Sequence, residues 1–127
     1  MELRCLIVDD SRRFLQAARG LLERQGVQVV GVATTGAEAV TRTSTLRPDV
    51  ALVDIGLGDE SGFDVATRLG QTPVILISTA DEDDLADLIA ASPAIGFLPK
   101  AALSGAAIRR LLRRPRDGTP ASEPRGR

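Results

Sequence analysis

A chain of 127 residues, 43% hydrophobic and 26% charged, has room for one ordinary domain around one core and lacks the composition of an intrinsically disordered protein. Its net charge of −1 is unevenly spread: residues 109–127 carry seven arginines against Asp117 and Glu123, a balance of +5 that leaves −6 for residues 1–108. An acidic body argues against nucleic acid as the main ligand, no apolar run approaches the roughly 18 residues of a membrane span, and Glu2, Arg4, Asp9 and Asp10 interrupt any export segment, so a cytoplasmic protein is expected.

RCLIV at 4–8 is a short apolar run ended by Asp9 and Asp10, as a buried parallel strand reads when it meets a loop, and the lone Cys5 inside it is expected in the core. Ser11 can cap a following helix whose apolar residues Phe14, Ala18, Leu21 and Leu22 recur at helical spacing until Gly26. VQVVGVA at 27–33 predicts a second strand, and TGAEAVTR a second helix capped by Thr34 or Thr35. VALVD at 50–54 is a third strand ending in an acid, followed by the glycine-bearing loop GLGDESG and a short helix, FDVATRL.

Pro73 precedes VILIS at 74–78, the most strand-like run in the chain. In the helix after it, DDLADLIAA, Leu85, Leu88 and Ile89 are expected on the inner side, with the acidic run Asp81, Glu82, Asp83 and Asp84 as its solvated start. A last strand is predicted near 94–99 (AIGFLP), and a last helix from about Ser104 to Arg114, stopped by Pro115. From Pro115 onward the composition turns to Pro, Gly, Ser, Thr and Arg, which predicts a disordered basic tail, 115–127, attached to a domain, 1–114. Five strands alternating with five helices predict an α/β fold with a parallel sheet covered on both faces.

In such a sheet, ligands bind beyond the carboxyl ends of the strands. The residues there are Asp9 and Asp10, Asp54, Ser78 and Lys100. Two ionised carboxylates about 5 Å apart repel by roughly 3 kcal/mol at an effective dielectric of about 20, so three on one rim need a functional reason. A hard divalent cation supplies one, and Mg²⁺ suits carboxylates that share it with water and a phosphate oxygen. The parts then match phosphoryl transfer. Asp54 is the nucleophile, Asp10 a direct metal ligand, Asp9 a water-mediated one, and the Gly56 carbonyl a further ligand. Lys100 neutralises phosphoryl oxygens and the Ser78 hydroxyl donates to one. Lys100 is also the single lysine among sixteen basic residues, which sets it apart from the arginines.

LIVDDS at 6–11, VDIGLGDESG at 53–62, PVILIS at 73–78 and GFLPKAAL at 96–103 together resemble the response-regulator receiver family over about residues 3–114. The resemblance implies a flavodoxin-like, doubly wound five-stranded parallel sheet, (βα)5, in a stand-alone phosphorylation switch. It implies Mg²⁺, a sensor histidine kinase as phosphodonor and a downstream protein target. It also places the family's acidic pair on Asp9 and Asp10, the phospho-acceptor on Asp54, the switch hydroxyl and aromatic on Ser78 and Phe97, and the lysine on Lys100. Three features depart from the family pattern: Gly58, where proline is common, is expected to loosen the loop; Ala101 follows Lys100 where many relatives have proline, and the bond between them is expected to be trans; and the segment between Asp54 and Ser78 is shorter than usual, which leaves the length of the third helix open.

Two other functions compete. A small Mg²⁺-dependent phosphatase with an aspartyl nucleophile carries a second acid two residues on, where this chain has Gly56 after Asp54 and Ser11 after Asp9. A nucleic-acid-binding protein using the Arg-rich tail is disfavoured by the scarcity of stacking residues, three Phe with no Tyr or Trp. Output through contacts fits better. The fourth helix is acidic through Asp83, Asp84 and Asp87 and the fifth basic through Arg109, Arg110 and Arg113, which suggests a weak, phosphorylation-promoted homodimer, with a hetero-complex with a kinase or other target as the rival.

Overall fold

The computed structural model describes residues 2–80 and 82–113; Met1, Asp81 and residues 114–127, with the expected basic tail, lie outside the described residues. The elements in chain order are β1 (Leu3–Val8), α1 (Arg12–Arg24), β2 (Val27–Ala33), α2 (Gly36–Leu46), β3 (Val50–Asp54), β4 (Gly56–Leu57), β5 (Glu60–Ser61) and α3 (Gly62–Thr67). There follow β6 (Val74–Ser78), α4 (Glu82–Ala90), β7 (Gly96–Pro99), a 3-10 turn (Lys100–Ala102) and α5 (Gly105–Arg113). Five strands form a parallel sheet in the order β2-β1-β3-β6-β7, the doubly wound arrangement expected.

Side-chain alternation along the central strands builds two cores, one on each face of the sheet. Cys5 and Ile7 of β1, Val50 and Leu52 of β3, and Ile75 and Ile77 of β6 pack with Leu15, Ala18 and Leu22 of α1 and Ile108 and Leu111 of α5. The intervening residues, Leu6 and Val8, Ala51 and Val53, Val74 and Leu76, pack with Ala39 of α2, Val65 and Ala66 of α3, and Phe97 of β7. Every residue of β3 and β6 is buried, which is why both read as unbroken apolar runs. Cys5 is fully buried, and that burial pushes its thiol pKa up to about 12.

Short polar residues start the helices as the sequence suggests. Ser11 Oγ accepts the Phe14 N–H at 3.2 Å and Thr35 Oγ1 the Glu38 N–H at 3.1 Å, while the Thr34 N–H donates back to Glu38 Oε1 at 2.8 Å. Ser104 Oγ accepts the Ala107 N–H at 3.0 Å and opens α5. Gln25 Oε1 accepts the Gly105 N–H at 2.6 Å, tying the start of α5 to the turn after α1.

Three expectations need correction. GLGDESG is a tight hairpin rather than an open loop: β4 and β5 pair Leu57 with Glu60 across Gly58 and Asp59. Gly58 has φ +64° and Asp59 is not among the positive-φ residues, the sign pattern of a type II′ turn, so glycine here defines the turn instead of loosening it. Leu88 is 55% exposed, and α4 buries no residue fully. Its partial packing rests on Leu85 and Ile89, four residues apart, and Leu88 sits roughly 80° around the helix from that stripe at 3.6 residues per turn. The last strand begins at Gly96 rather than 94. All described peptide bonds are trans, including Lys100 to Ala101. Among the described residues no helix is long and apolar enough to cross a membrane.

Candidate functional site

The strand order reverses between β1 and β3, and the crevice outside their carboxyl ends is where an open α/β sheet binds ligands. β1 delivers Asp9 and Asp10 to it and β3 ends on Asp54. Each of the three offers a carboxylate oxygen within 4.8 Å of the others. Asp9 is fully buried and Asp54 8% exposed, whereas Asp10 faces solvent.

Lys100, in the turn after β7, completes the cluster. Its Nζ lies 2.6 Å from Asp9 Oδ2 and 3.7 Å from Asp54 Oδ2, with 16% of the side chain exposed. Asp9 Oδ1 accepts the Ser11 N–H at 2.8 Å. Asp9 Oδ2 is buried, and the Lys100 ammonium is its charged partner. The ammonium also stands 4.3 Å from the centroid of the Phe14 ring.

The electrostatics follow from this crowding. The Asp54 carboxyl is held above the usual carboxylate range, first by burial and then by the Asp9 charge; Lys100 and the Gly56 N–H oppose the shift, and Asp10 adds to it. A divalent cation fits the donor set. It supplies positive charge to three crowded acids, and the 4.8 Å spread suits an ion with bonds of about 2.1 Å that reaches one acid through water.

The family model for the response regulator receiver domain matches residues 5–112. The chain belongs to the response-regulator receiver family. Among similar proteins, this receiver domain is 34% identical over 106 residues to a protein-glutamate methylesterase/protein-glutamine glutaminase of Alkalilimnicola ehrlichii, covering 79% of this chain and 27% of that protein. It is likewise 34% identical over 95 residues to a second such protein, from Methanospirillum hungatei, covering 73% and 27%. The receiver domain thus spans about a quarter of the length of these curated relatives. The solved signal receiver domain of a modulated diguanylate cyclase from Desulfovibrio desulfuricans superposes with a TM-score of 0.74 at 33% identity, over 88% of this chain and 91% of that one. The domain is a phospho-signalling receiver, and its acidic cluster with Lys100 matches the family's site.

The remaining predicted residues are Ser78 at the end of β6, Phe97 within β7 and Gly56 in β4. Ser78 ends β6 and is 5% exposed; its Oγ accepts the Ala80 N–H at 2.9 Å, which leaves the hydroxyl proton to donate elsewhere. Phe97 pairs with Leu76 in register and is 6% exposed, so Ser78 and Phe97 share one sheet face by alternation. Gly56 lies in β4 with open space beside its Cα, and its N–H faces the Asp54 carboxylate.

Two further residues border the site without announcing that role in the sequence. Phe14 reads as part of an apolar helix stripe; what could have singled it out is its place in the first turn of a helix that starts at the rim. Gly62 reads as a loop glycine. Its N–H donates to the Ile55 carbonyl at 2.7 Å, and any Cβ there would land on the Asp54 carbonyl oxygen, so the hairpin closes against the strand end only because residue 62 has no side chain. Glu60 adds the other anchor: its carboxylate accepts the Gly36 N–H at 2.9 Å and pairs with Arg68 at 3.5 Å.

Proposed function

We propose that Asp54 accepts a phosphoryl group from a sensor histidine kinase, and that the resulting change of shape signals to a downstream protein in the cytoplasm. An Asp54 oxygen attacks phosphorus as the bond to the donor imidazole breaks, and the leaving nitrogen keeps the electron pair. Asp10, Asp54 and the Gly56 carbonyl would hold Mg²⁺, with Asp9 helping through water, and the bound ion would supply positive charge for the phosphoryl oxygens. Lys100 offers its ammonium to a phosphoryl oxygen, and Ser78 donates its hydroxyl to another. Drawing Ser78 toward the site leaves room that the Phe97 ring occupies, which biases a two-state element. We assign residues 1–114 to the receiver unit and 115–127 to a basic tail.

The observation that carries this reading is the meeting of three carboxylates within 4.8 Å with a lysine against two of them. Incubation with Mg²⁺ and acetyl phosphate is expected to add the mass of one phosphoryl group to the wild type and none to Asp54→Asn. Equal labelling of both sinks the assignment.

A second reading, a homodimer promoted by phosphorylation, is favoured by the α4 face. Leu88 is exposed there, and a cleft of ≈ 320 Å³ lined by Ile89, Ile95 and Phe97 runs between α4 and β7. Asp83, Asp84 and Asp87 on α4 and Arg110 and Arg113 on α5 are exposed with opposite charge, as an isologous pairing of two copies can use. Sedimentation of the beryllofluoride-bound protein should show a dimer that weakens with salt; a monomer at every concentration and salt rules it out.

A further inference from the structure

Four contacts close a ring around Asp9. Its Oδ1 accepts the Ser11 N–H at 2.8 Å, Ser11 Oγ accepts the Phe14 N–H at 3.2 Å, the Phe14 ring lies 4.3 Å from Lys100 Nζ, and that Nζ returns to Asp9 Oδ2 at 2.6 Å. The cap that starts α1 therefore also fixes the backbone of the residue that meets the ammonium. We propose that Phe14 is a positioning residue for phosphoryl transfer, its ring face holding the Lys100 ammonium at the mouth of the acidic crevice. The inference rests on the reading of Lys100 as the cation that meets the phosphoryl group.

A lysine is a point charge on a flexible stem, and a site that needs it in one place must restrain it. Asp9 alone is a poor restraint, because a cation bound at the acids draws on the same carboxylate charge that holds the ammonium. An aromatic face attracts an ammonium electrostatically without adding a third anion that would hold it back from phosphoryl oxygens. Phe14 packs with its apolar body against the α1 and α5 core, so the ring is fixed from behind while its face is turned to Nζ. When the neighbouring acids are neutralised the ring contact persists, and Nζ stays about as near Asp54 as it is now, 3.7 Å.

The competing explanation is that Phe14 merely fills the core. Leucine at this position fills it too but has no π face, whereas tyrosine keeps the face. Because Lys100 is the only lysine in the chain, lysine labelled with carbon-13 and nitrogen-15 gives a spectrum of this one side chain. In the wild type its ε-methylene protons should resonate upfield of free lysine through the ring current. That displacement should vanish in Phe14→Leu and persist in Phe14→Tyr.

Phosphorylation by acetyl phosphate with Mg²⁺ should slow about three- to tenfold in Phe14→Leu, in the maximal rate rather than in the donor dependence, and stay within about twofold of wild type in Phe14→Tyr. Should Phe14→Leu fail to fold, 3,4,5-trifluorophenylalanine at position 14 keeps the shape, removes the negative face and should give the same loss. Wild-type rates in either replacement, or Lys100 protons at the free-lysine position in the wild type, overturn the proposal. Absence of phosphorylation in the wild type itself overturns the reading of the site, and is told apart because every variant is then equally silent while the lysine spectrum still reports the ring contact.

Discussion

Lys100 is bound to Asp9 more closely than to Asp54: Nζ stands 2.6 Å from the Asp9 carboxylate and 3.7 Å from that of Asp54. Asp9 is the most deeply buried acid of the site, so the lysine acts first as the counter-charge of a structural anion. Removing one partner of a buried ion pair leaves the other uncompensated, at a cost of about 3–5 kcal/mol. Since 16% of the lysine side chain still meets solvent, Lys100→Met should lose about 3 kcal/mol of unfolding free energy in urea, the low end of that range. A loss under about 1 kcal/mol would mean that water screens the pair as it does at a surface.

Asp54 works in the opposite direction. Burial and the Asp9 charge raise its pKa above the ordinary 3.8, so the folded chain holds a proton that the unfolded chain has released in the window between 3.8 and the raised value. Stability then falls as pH rises through that window and remains lower above it. Asp54→Asn, which cannot ionise, should melt higher than wild type at pH 7 in EDTA, by an amount that shrinks as pH is lowered toward about 4. A mutant less stable than wild type at neutral pH would show that the Lys100 contact outweighs the burial.

Magnesium should relieve the same repulsion. Millimolar Mg²⁺ is expected to raise the melting temperature of the wild type by binding linkage, and Asp10→Ala, which removes the exposed carboxylate, should abolish the response. Calorimetric scans with and without the ion decide it, and a wild type indifferent to Mg²⁺ counts against the metal site.

The hairpin offers a test of local geometry. A Cβ at Gly62 strikes the Asp54 carbonyl and the Ile55 backbone, while one at Gly56 meets nothing within 4 Å. Gly62→Ala should therefore cost about 2–3 kcal/mol and slow phosphorylation by displacing Asp54, and Gly56→Ala should stay within about 1 kcal/mol of wild type. Gly58→Pro should break the turn, because proline locks φ near −65° where the structure has +64°. Equal stability of the two alanine variants would contradict the close approach at Gly62.

Much of this architecture is legible before any coordinates. Parallel strands buried on both faces leave continuous apolar runs, so VALVD and VILIS announce themselves, and the acids that interrupt such runs mark the rim. What stays hidden depends on contacts between distant segments. Two-residue strands such as Gly56–Leu57 are too short to show a period, and Leu88 reads as inward because spacing gives a helix face only to within a fraction of a turn. Gly62 and Phe14 owe their roles to an Asp54 carbonyl and a Lys100 ammonium that the fold brings to them from 8 and 86 residues away in the chain.

Phosphorylation of the Asp54 carboxylate makes an acyl phosphate. Borohydride reduces such a group to a primary alcohol, converting the phosphorylated aspartate to homoserine. After treatment with acetyl phosphate and Mg²⁺, reduction and peptide mapping by mass spectrometry should find homoserine at position 54 and intact aspartate at positions 9 and 10. Homoserine at another aspartate, with Asp54 unchanged, would show that Asp54 is not the phospho-acceptor.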